Sequence, residues 1–459
     1  MAVERLTADD QLMLWPDKVW PQDIGALAVL DARSLLDRAG RFRIEAVREA
    51  VEGRLHLVPR FRQLLHVPPR GLGGPLWVDA PAFELSEHVR VLPLPTPGDE
   101  AQLLLATERL RRRRLDRSRP LWEMWFLPGL SEGRVAMYVR MHHVIADGIA
   151  GVATLGTFLD AVPDAPLTPG QPWAPAPWPP ARELFEDNLR RHVDGLGRGL
   201  SKLVRPVTTL RHVLGAWPAM REFFAEEPGP VTSLDRLIGP DRNLALIRSS
   251  LDLVKEIAHA NDAKVNDVLL AATAGGLRAL LRHRGEPVED VVLRIYVPIS
   301  LRPAQLRSQA RGNLVGQMVV PLPIGVAKPG PRLWQIAVET AERKARARPS
   351  VGIFLHGRMA RRTMLKLIKR QRVNVTSANL PGPEMPLYFA GARLLEVFPL
   401  LPLIGNVSLA VGALSYAGQF NIMVVADRDA HPDIEIFAAR VRDELRALAE
   451  SSLVTSSGR

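Results

Sequence analysis

The stretch MHHVIADGIA, residues 141–150, sets His142 beside His143, with Asp147 four residues beyond the second histidine and Gly148 directly after it. A neutral imidazole near pH 7 accepts a proton from an attacking hydroxyl, and the unperturbed pKa of histidine suits that task. If residues 134–143 form a strand, side chains alternate between its faces. His143 then lies with Val135, Met137, Val139 and Met141, and His142 with Ala136, Tyr138 and Arg140. The two rings therefore cannot do the same job: one points into a site while the other packs or hydrogen-bonds as support. Asp147 would fold back toward the strand end and hold the loop through a buried arginine. Gly148 would permit a tight backbone path into a helix beginning near Ile149.

Two other motifs compete. GLSEG, residues 129–133, matches the G-x-S-x-G pattern of serine hydrolases, but that motif needs a strand, a sharp elbow and a helix. Here it joins two strand-like runs and reads as a hairpin turn, which leaves Ser131 without a nucleophile's setting. The remaining histidines have no ligand spacing, so no metal site is expected. The densest basic run, Arg111 to Arg114, reads as the solvated end of a helix.

The elements that must position these residues alternate short apolar runs with helical stretches from residue 51 to 160. LWEMWFLPG (121–129) and RVAMYVRMHH (134–143) read as strands. VPDAPLTPGQPWAPAPWPP (162–180) is too rich in proline for helix or sheet and predicts an extended connection. From 181 to 224, apolar residues recur every three or four positions, among them Phe185, Leu189 and Val193, with arginines between them. That is one face of a long helix or helix pair, which Pro206 should kink or split. Such a basic amphipathic helix rests either on a lipid surface or against the other half of the molecule. The second half opens near Val231, with a helix over 265–282 and strands near 291–300, 314–322, 373–378 and 419–425. The uncharged run 397–426 is long enough to span a bilayer, but its prolines, glycines and amides divide it into buried strands joined by turns. This division predicts an N-terminal half, 1–161, carrying the histidines; a proline-rich linker and amphipathic crossover, 162–230; and a C-terminal half, 231–459.

Composition bounds the rest. With 459 residues, 47% hydrophobic and 24% charged, the chain has material for two globular cores. A formal charge of +11 suits phosphate-bearing partners, but no nucleic-acid motif accompanies it, so nucleic acid is not an expected partner. Absence of cysteine excludes disulfides and thiolate nucleophiles. The acidic start, MAVERLTADDQ, does not read as a signal peptide, which predicts a cytoplasmic protein.

MHHVIADG matches the HHxxxDG motif of the CoA-dependent acyltransferase superfamily. More narrowly, the chain resembles bacterial wax ester synthase/diacylglycerol acyltransferases. The narrower match rests on segments in the family's order: VPRFRQLL (58–65), PLWVDAPAFELSEHVR (75–90), LDRSRPLWE (115–123), NDVLLAATAGGLRALL (266–281), GNLVGQMVVPLP (312–323), SANLPGP (377–383) and LSYAGQFNIMVVAD (414–427). The resemblance implies an α/β fold of two pseudo-symmetric domains of chloramphenicol-acetyltransferase type with a central channel. It implies that His143 is the general base, taking the proton of an acceptor hydroxyl as that oxygen attacks the thioester of an acyl-CoA. His142 would be its neighbour and Asp147 structural. Asn266 and Asp267, matching the family's Asn-Asp motif, would shape the channel, and Pro120, Leu121 and Trp122 match a further motif of structural role.

Implied substrates are acyl-CoA with diacylglycerol or a long-chain alcohol, without a cofactor, at a membrane or lipid-droplet surface. Two departures stand out: residues 6–31 follow the family's opening only loosely, and Arg114 stands where members usually have proline. They keep other readings open, namely a different acceptor, a carrier-protein donor, or a non-catalytic lipid-surface binding protein.

Overall fold

The computed structural model describes residues 3–166, 169–204, 231–300, 315–346, 362, 365–366, 368–369 and 373–456. The first part of the chain forms α1 (Ala8–Asp17), β1 (Asp23–Asp31), α2 (Ile44–Glu52), β2 (Gln63–His66), β3 (Leu76–Asp79), β4 (Val89–Val91) and α3 (Glu100–Arg112). β5 (Trp122–Leu130), β6 (Arg134–His142), α4 (Gly148–Gly156) and α5 (Ala181–Val204) follow. The second part forms β7 (Arg242–Ser250), α6 (Leu251–Ala260), α7 (Val265–His283), β8 (Val292–Ser300), β9 (Val315–Pro323) and α8 (Pro329–Arg346). It ends with β10 (Val375–Pro381), β11 (Tyr388–Phe389), β12 (Ala392–Leu400), β13 (Leu409–Tyr416), β14 (Gln419–Asp427) and α9 (Ile434–Ser456).

Two six-stranded sheets carry the architecture, ordered β11-β12-β1-β6-β5-β4 and β7-β14-β13-β10-β8-β9. β11 and β12 come late in the sequence but complete the first sheet, where β12 pairs antiparallel with β1. The second half read from the sequence therefore donates a strand pair to the sheet of the first. Local pattern cannot reveal such a donation, because a strand's periodicity states its faces but not its partner.

The sheets pack against each other through Leu27, Val29, Leu127, Tyr138 and Phe398 on one side and Leu244, Leu246, Met423 and Val425 on the other. The outer face of the first sheet holds Val135, Met137, Val139 and Met141 against α2 and α4. That of the second is covered by α6, α7 and α9. In α7, a Cβ on Gly276 would come within 2.9 Å of the Val441 and Phe437 side chains, so the bare glycine lets α9 lie close.

The uncharged run 397–426 folds as the end of β12, all of β13 and all but the last residue of β14, buried strands as its breaks suggested. Among the described residues, no helix is long and apolar enough to cross a membrane. GLSEG forms the β5–β6 hairpin, with Glu132 and Gly133 at φ of 62° and 66°, so Ser131 sits in a turn between antiparallel strands. α5 begins where the apolar periodicity places it; Pro206 and residues 205–224 of the proposed helix lie outside the described residues.

Candidate active site

Strand alternation holds along β6, with Val135, Met137, Val139 and Met141 on the outer face and Ala136 and Tyr138 between the sheets. The strand ends one residue earlier than its pattern suggests, at His142. His143 still continues the pairing, since its N–H donates to the Gln22 carbonyl at 2.7 Å.

The PLW residues build the platform below the pair. The Leu121 carbonyl accepts the His142 N–H at 2.9 Å. Trp122, fully buried, stacks on Phe61 at 4.3 Å and on His88 at 4.7 Å, and its indole N–H donates to the Phe61 carbonyl at 2.8 Å. Burial pushes the His88 imidazole below its ordinary pKa. It packs as a neutral ring, joined through Nδ1 to the Trp122 carbonyl at 2.9 Å.

His142 is buried, and its ring is held from both sides. Nδ1 accepts the Val144 N–H at 3.0 Å, which leaves the proton on Nε2. Nε2 lies 3.2 Å from Asp17 Oδ1 but is not aligned for a full hydrogen bond, so attraction between carboxylate and N–H dipole carries the contact. Asp17 also accepts the Gln22 N–H at 3.0 Å and an Arg117 N–H at 2.5 Å. Burial works to raise its pKa, but the contacts with His142, Gln22 and Arg117 prevail and hold it well below the usual carboxylate range. Asp17 and Gln22 carry no motif, Arg117 belongs to the LDRSRPLWE segment without being singled out there, and proximity in the fold alone brings the three together.

The basic run is the solvated end of α3 except at one position. Arg111 is buried in a pair with Glu108 and donates to the Pro240 carbonyl at 2.7 Å. Arg114 donates to the carbonyls of Asp17, Lys18 and Val19 at 2.6, 3.2 and 3.4 Å. Arg140, on the face of His142, pairs with Glu123 at 2.8 Å and reaches the carbonyls of Arg111 and Arg113. Arg112, Arg113 and Arg114 are the exposed members. Carbonyls at the ends of α1 and α3 have no partner within their helices, and arginines supply their donors.

Asp147, buried, is the N-cap of α4, its Oδ1 accepting the Ala150 N–H at 2.8 Å. Gly148 is the first residue of that helix rather than a turn with unusual φ. A Cβ there would meet Leu380 of β10 at 3.1 Å, so its small size serves close packing between the halves. Asp267 caps the start of α7 by accepting the Lys264 N–H at 2.9 Å, and accepts the Thr340 hydroxyl of α8 at 2.7 Å. Burial raises its pKa. These contacts tie two helices together and do not reach the histidines. Asn266 beside it is half-buried.

On the outer face of β6, a small apolar cavity is lined by Met137, Val139, Leu155, Phe158, Leu159 and Phe389, among others. It lies between the strand that leads to His143 and helix α4 that follows Asp147.

Comparison with known proteins places these features. Residues 6–269 match the wax ester synthase/diacylglycerol acyltransferase catalytic domain, and residues 311–449 match the WS/DGAT C-terminal domain. The chain is 29% identical over 450 residues to the "Probable diacyglycerol O-acyltransferase tgs1" of Mycobacterium tuberculosis, an alignment covering 94% of this chain and 91% of that one. Its fold is similar to that of the wax ester synthase/diacylglycerol acyltransferase from Marinobacter aquaeolei (TM-score 0.68, 24% identity, 98% and 99% of the two chains). It is also similar to the starter condensation domain of rhizomide synthetase, solved in complex with C8-CoA (TM-score 0.60, 16% identity, 98% and 95%). The fold is thus the mixed α/β, two-domain one that the resemblance implied. With a catalytic-domain match over more than half its length, the chain belongs to the wax ester synthase/diacylglycerol acyltransferase family.

Proposed function

We propose that this acyltransferase moves a long acyl chain from CoA to the hydroxyl of diacylglycerol or of a long-chain alcohol, with His143 as general base. The observation that carries the reading is the HHxxxDG sequence at the end of β6 inside a matched catalytic domain. His143 takes the acceptor O–H proton as the oxygen attacks the thioester carbonyl carbon. The C–S bond breaks, and the thiolate leaves as CoA-SH with the proton that His143 returns. The exchange is redox-neutral and calls on no cofactor. Asp147 anchors the helix after the histidines, and the apolar lining between β6 and α4 offers surroundings suited to an acyl chain.

The same reading places the protein against a lipid surface. On α5, Phe185, Leu189 and Val193 stand four residues apart and are each more than half exposed. From residue 195 to 221 the sequence carries Arg198, Lys202, Arg205, Arg211 and Arg221 and no acidic residue. An apolar stripe continued by cationic sequence suits an anionic lipid interface.

Purified protein incubated with a long-chain acyl-CoA and, separately, diacylglycerol or hexadecanol should release CoA and form neutral lipid. Failure with every acceptor, but turnover with an acyl-carrier-protein donor, would replace the donor assignment. Flotation with vesicles containing anionic lipid should recover the protein, and replacing Phe185, Leu189 and Val193 together by serine should abolish recovery. Equal flotation of the triple variant would contradict the surface assigned to α5.

A further inference from the structure

We propose that Asp17 is a positioning residue for acyl transfer, that it orients both histidines, and that Arg117 and Arg114 hold it in place. The inference rests on the reading of the dihistidine as the acyl-transfer centre. It concerns a residue 125 positions before His142 in the sequence.

One carboxylate serves three neighbours. Oδ1 faces His142 Nε2 at 3.2 Å and accepts the Gln22 N–H at 3.0 Å, while Oδ2 accepts from Arg117 at 2.5 Å. Gln22 in turn accepts the His143 N–H on its own carbonyl at 2.7 Å. Asp17 thus touches the ring of His142 directly and reaches the backbone of His143 through a single residue.

The tautomer of His142 follows from the same contacts. Nδ1 is occupied as an acceptor by the Val144 N–H, so the ring proton sits on Nε2, toward the carboxylate. A ring held at both nitrogens has one orientation. Because Val144 follows His143, that orientation fixes the backbone on the far side of the base as well. His143 is therefore bracketed, by Gln22 at its own N–H and by His142 at the next one.

Arg114 and Arg117 come from the segment after α3 and close on the end of α1. Arg117 neutralises the outer oxygen of Asp17, and Arg114 gathers the three carbonyls at residues 17 to 19. The opening region and position 114 are thus in contact and form one brace.

The test compares steady-state kinetics of the full chain for Asp17→Ala, Asp17→Asn, Arg117→Gln and His143→Ala, with long-chain acyl-CoA and diacylglycerol. Asp17→Ala should lower kcat on the order of 10- to 100-fold with the KM for acyl-CoA unchanged, the scale expected of a misplaced catalytic group. Asp17→Asn keeps an oxygen for Gln22 and His142 and should recover most of the loss. Arg117→Gln, at an exposed position, should cost a few-fold by the same geometric reasoning.

Nitrogen-15 NMR of the imidazoles supplies a readout that a merely structural role would not move. His142, assigned by comparison with His142→Gln, should be a single Nε2–H tautomer in the wild type and a mixture in Asp17→Ala. Folded Asp17→Ala or Arg117→Gln protein with wild-type kcat and an unchanged tautomer would overturn the proposal. Full activity in His143→Ala would instead overturn the reading beneath it, so the two failures are distinguishable.

Discussion

His142 and His431 are both sealed from solvent, one in each sheet's neighbourhood, and they are held in opposite ways. His142 turns its Nε2–H toward a carboxylate. His431 sets Nε2 2.8 Å from the Ser408 hydroxyl and Nδ1 3.3 Å from the Arg284 guanidinium. Ser408 spends its one proton on the Leu234 carbonyl, so it accepts from His431, and Nδ1 accepts from Arg284. Burial, and then the adjacent guanidinium, push the His431 pKa down to about 4, against the pull of Asp427 and Asp433. A histidine pinned by a cation is a neutral strut. One set against an anion, next to a second histidine at the end of a strand, has the contacts that the proposed orientation of a base requires.

The comparison can be strained from either side. The largest effect is expected from Trp122→Ala, which removes the ring stacked on Phe61 and His88 beneath the His142 side. Loss of about 3–5 kcal/mol is expected for a buried tryptophan, read by urea denaturation, with activity falling as Leu121 loosens from His142. On the other side, His431 binds its proton more weakly when folded than the ordinary value of about 6.5. Stability is then complete above that value and declines as pH falls toward 4, because the unfolded chain takes up a proton that the native ring refuses. The decline amounts to roughly 3 kcal/mol across that window. Thermal unfolding of His431→Gln should show a flatter pH profile over the same range. Smaller still, Asp147→Ala removes the cap of α4 and should cost about 1 kcal/mol through that bond, visible as a shift in urea midpoint.

Much of the site is legible in the sequence because its logic is local. Alternation along β6 separates the faces of the two histidines before any partner is known, and the apolar-proline-glycine pattern of 397–426 reads as strands. Asp17 is not legible in this way: its neighbours arrive from residues 22, 117 and 142, and nothing local marks an aspartate at a helix end as their meeting point. The arginine run is legible in its exposure, which holds for Arg112, Arg113 and Arg114, but not in its partners: the carbonyls that occupy the buried Arg111 and the exposed Arg114 belong to the segments at Pro240 and at residues 17–19. Placement of β12 in the first sheet is hidden by the same non-locality. Gly148 shows a subtler gap, since a glycine needed for close approach to Leu380 and one needed for a turn look alike in sequence.

The central claim is that the proton of the acceptor hydroxyl passes to His143. Single-turnover transfer from a radiolabelled long-chain acyl-CoA to diacylglycerol, by rapid quench at pH 7.5, measures that step apart from binding and release. The account predicts that His143→Ala binds acyl-CoA as the wild type does and transfers on the order of 10²- to 10⁴-fold more slowly. An equal transfer rate in the folded variant would contradict it.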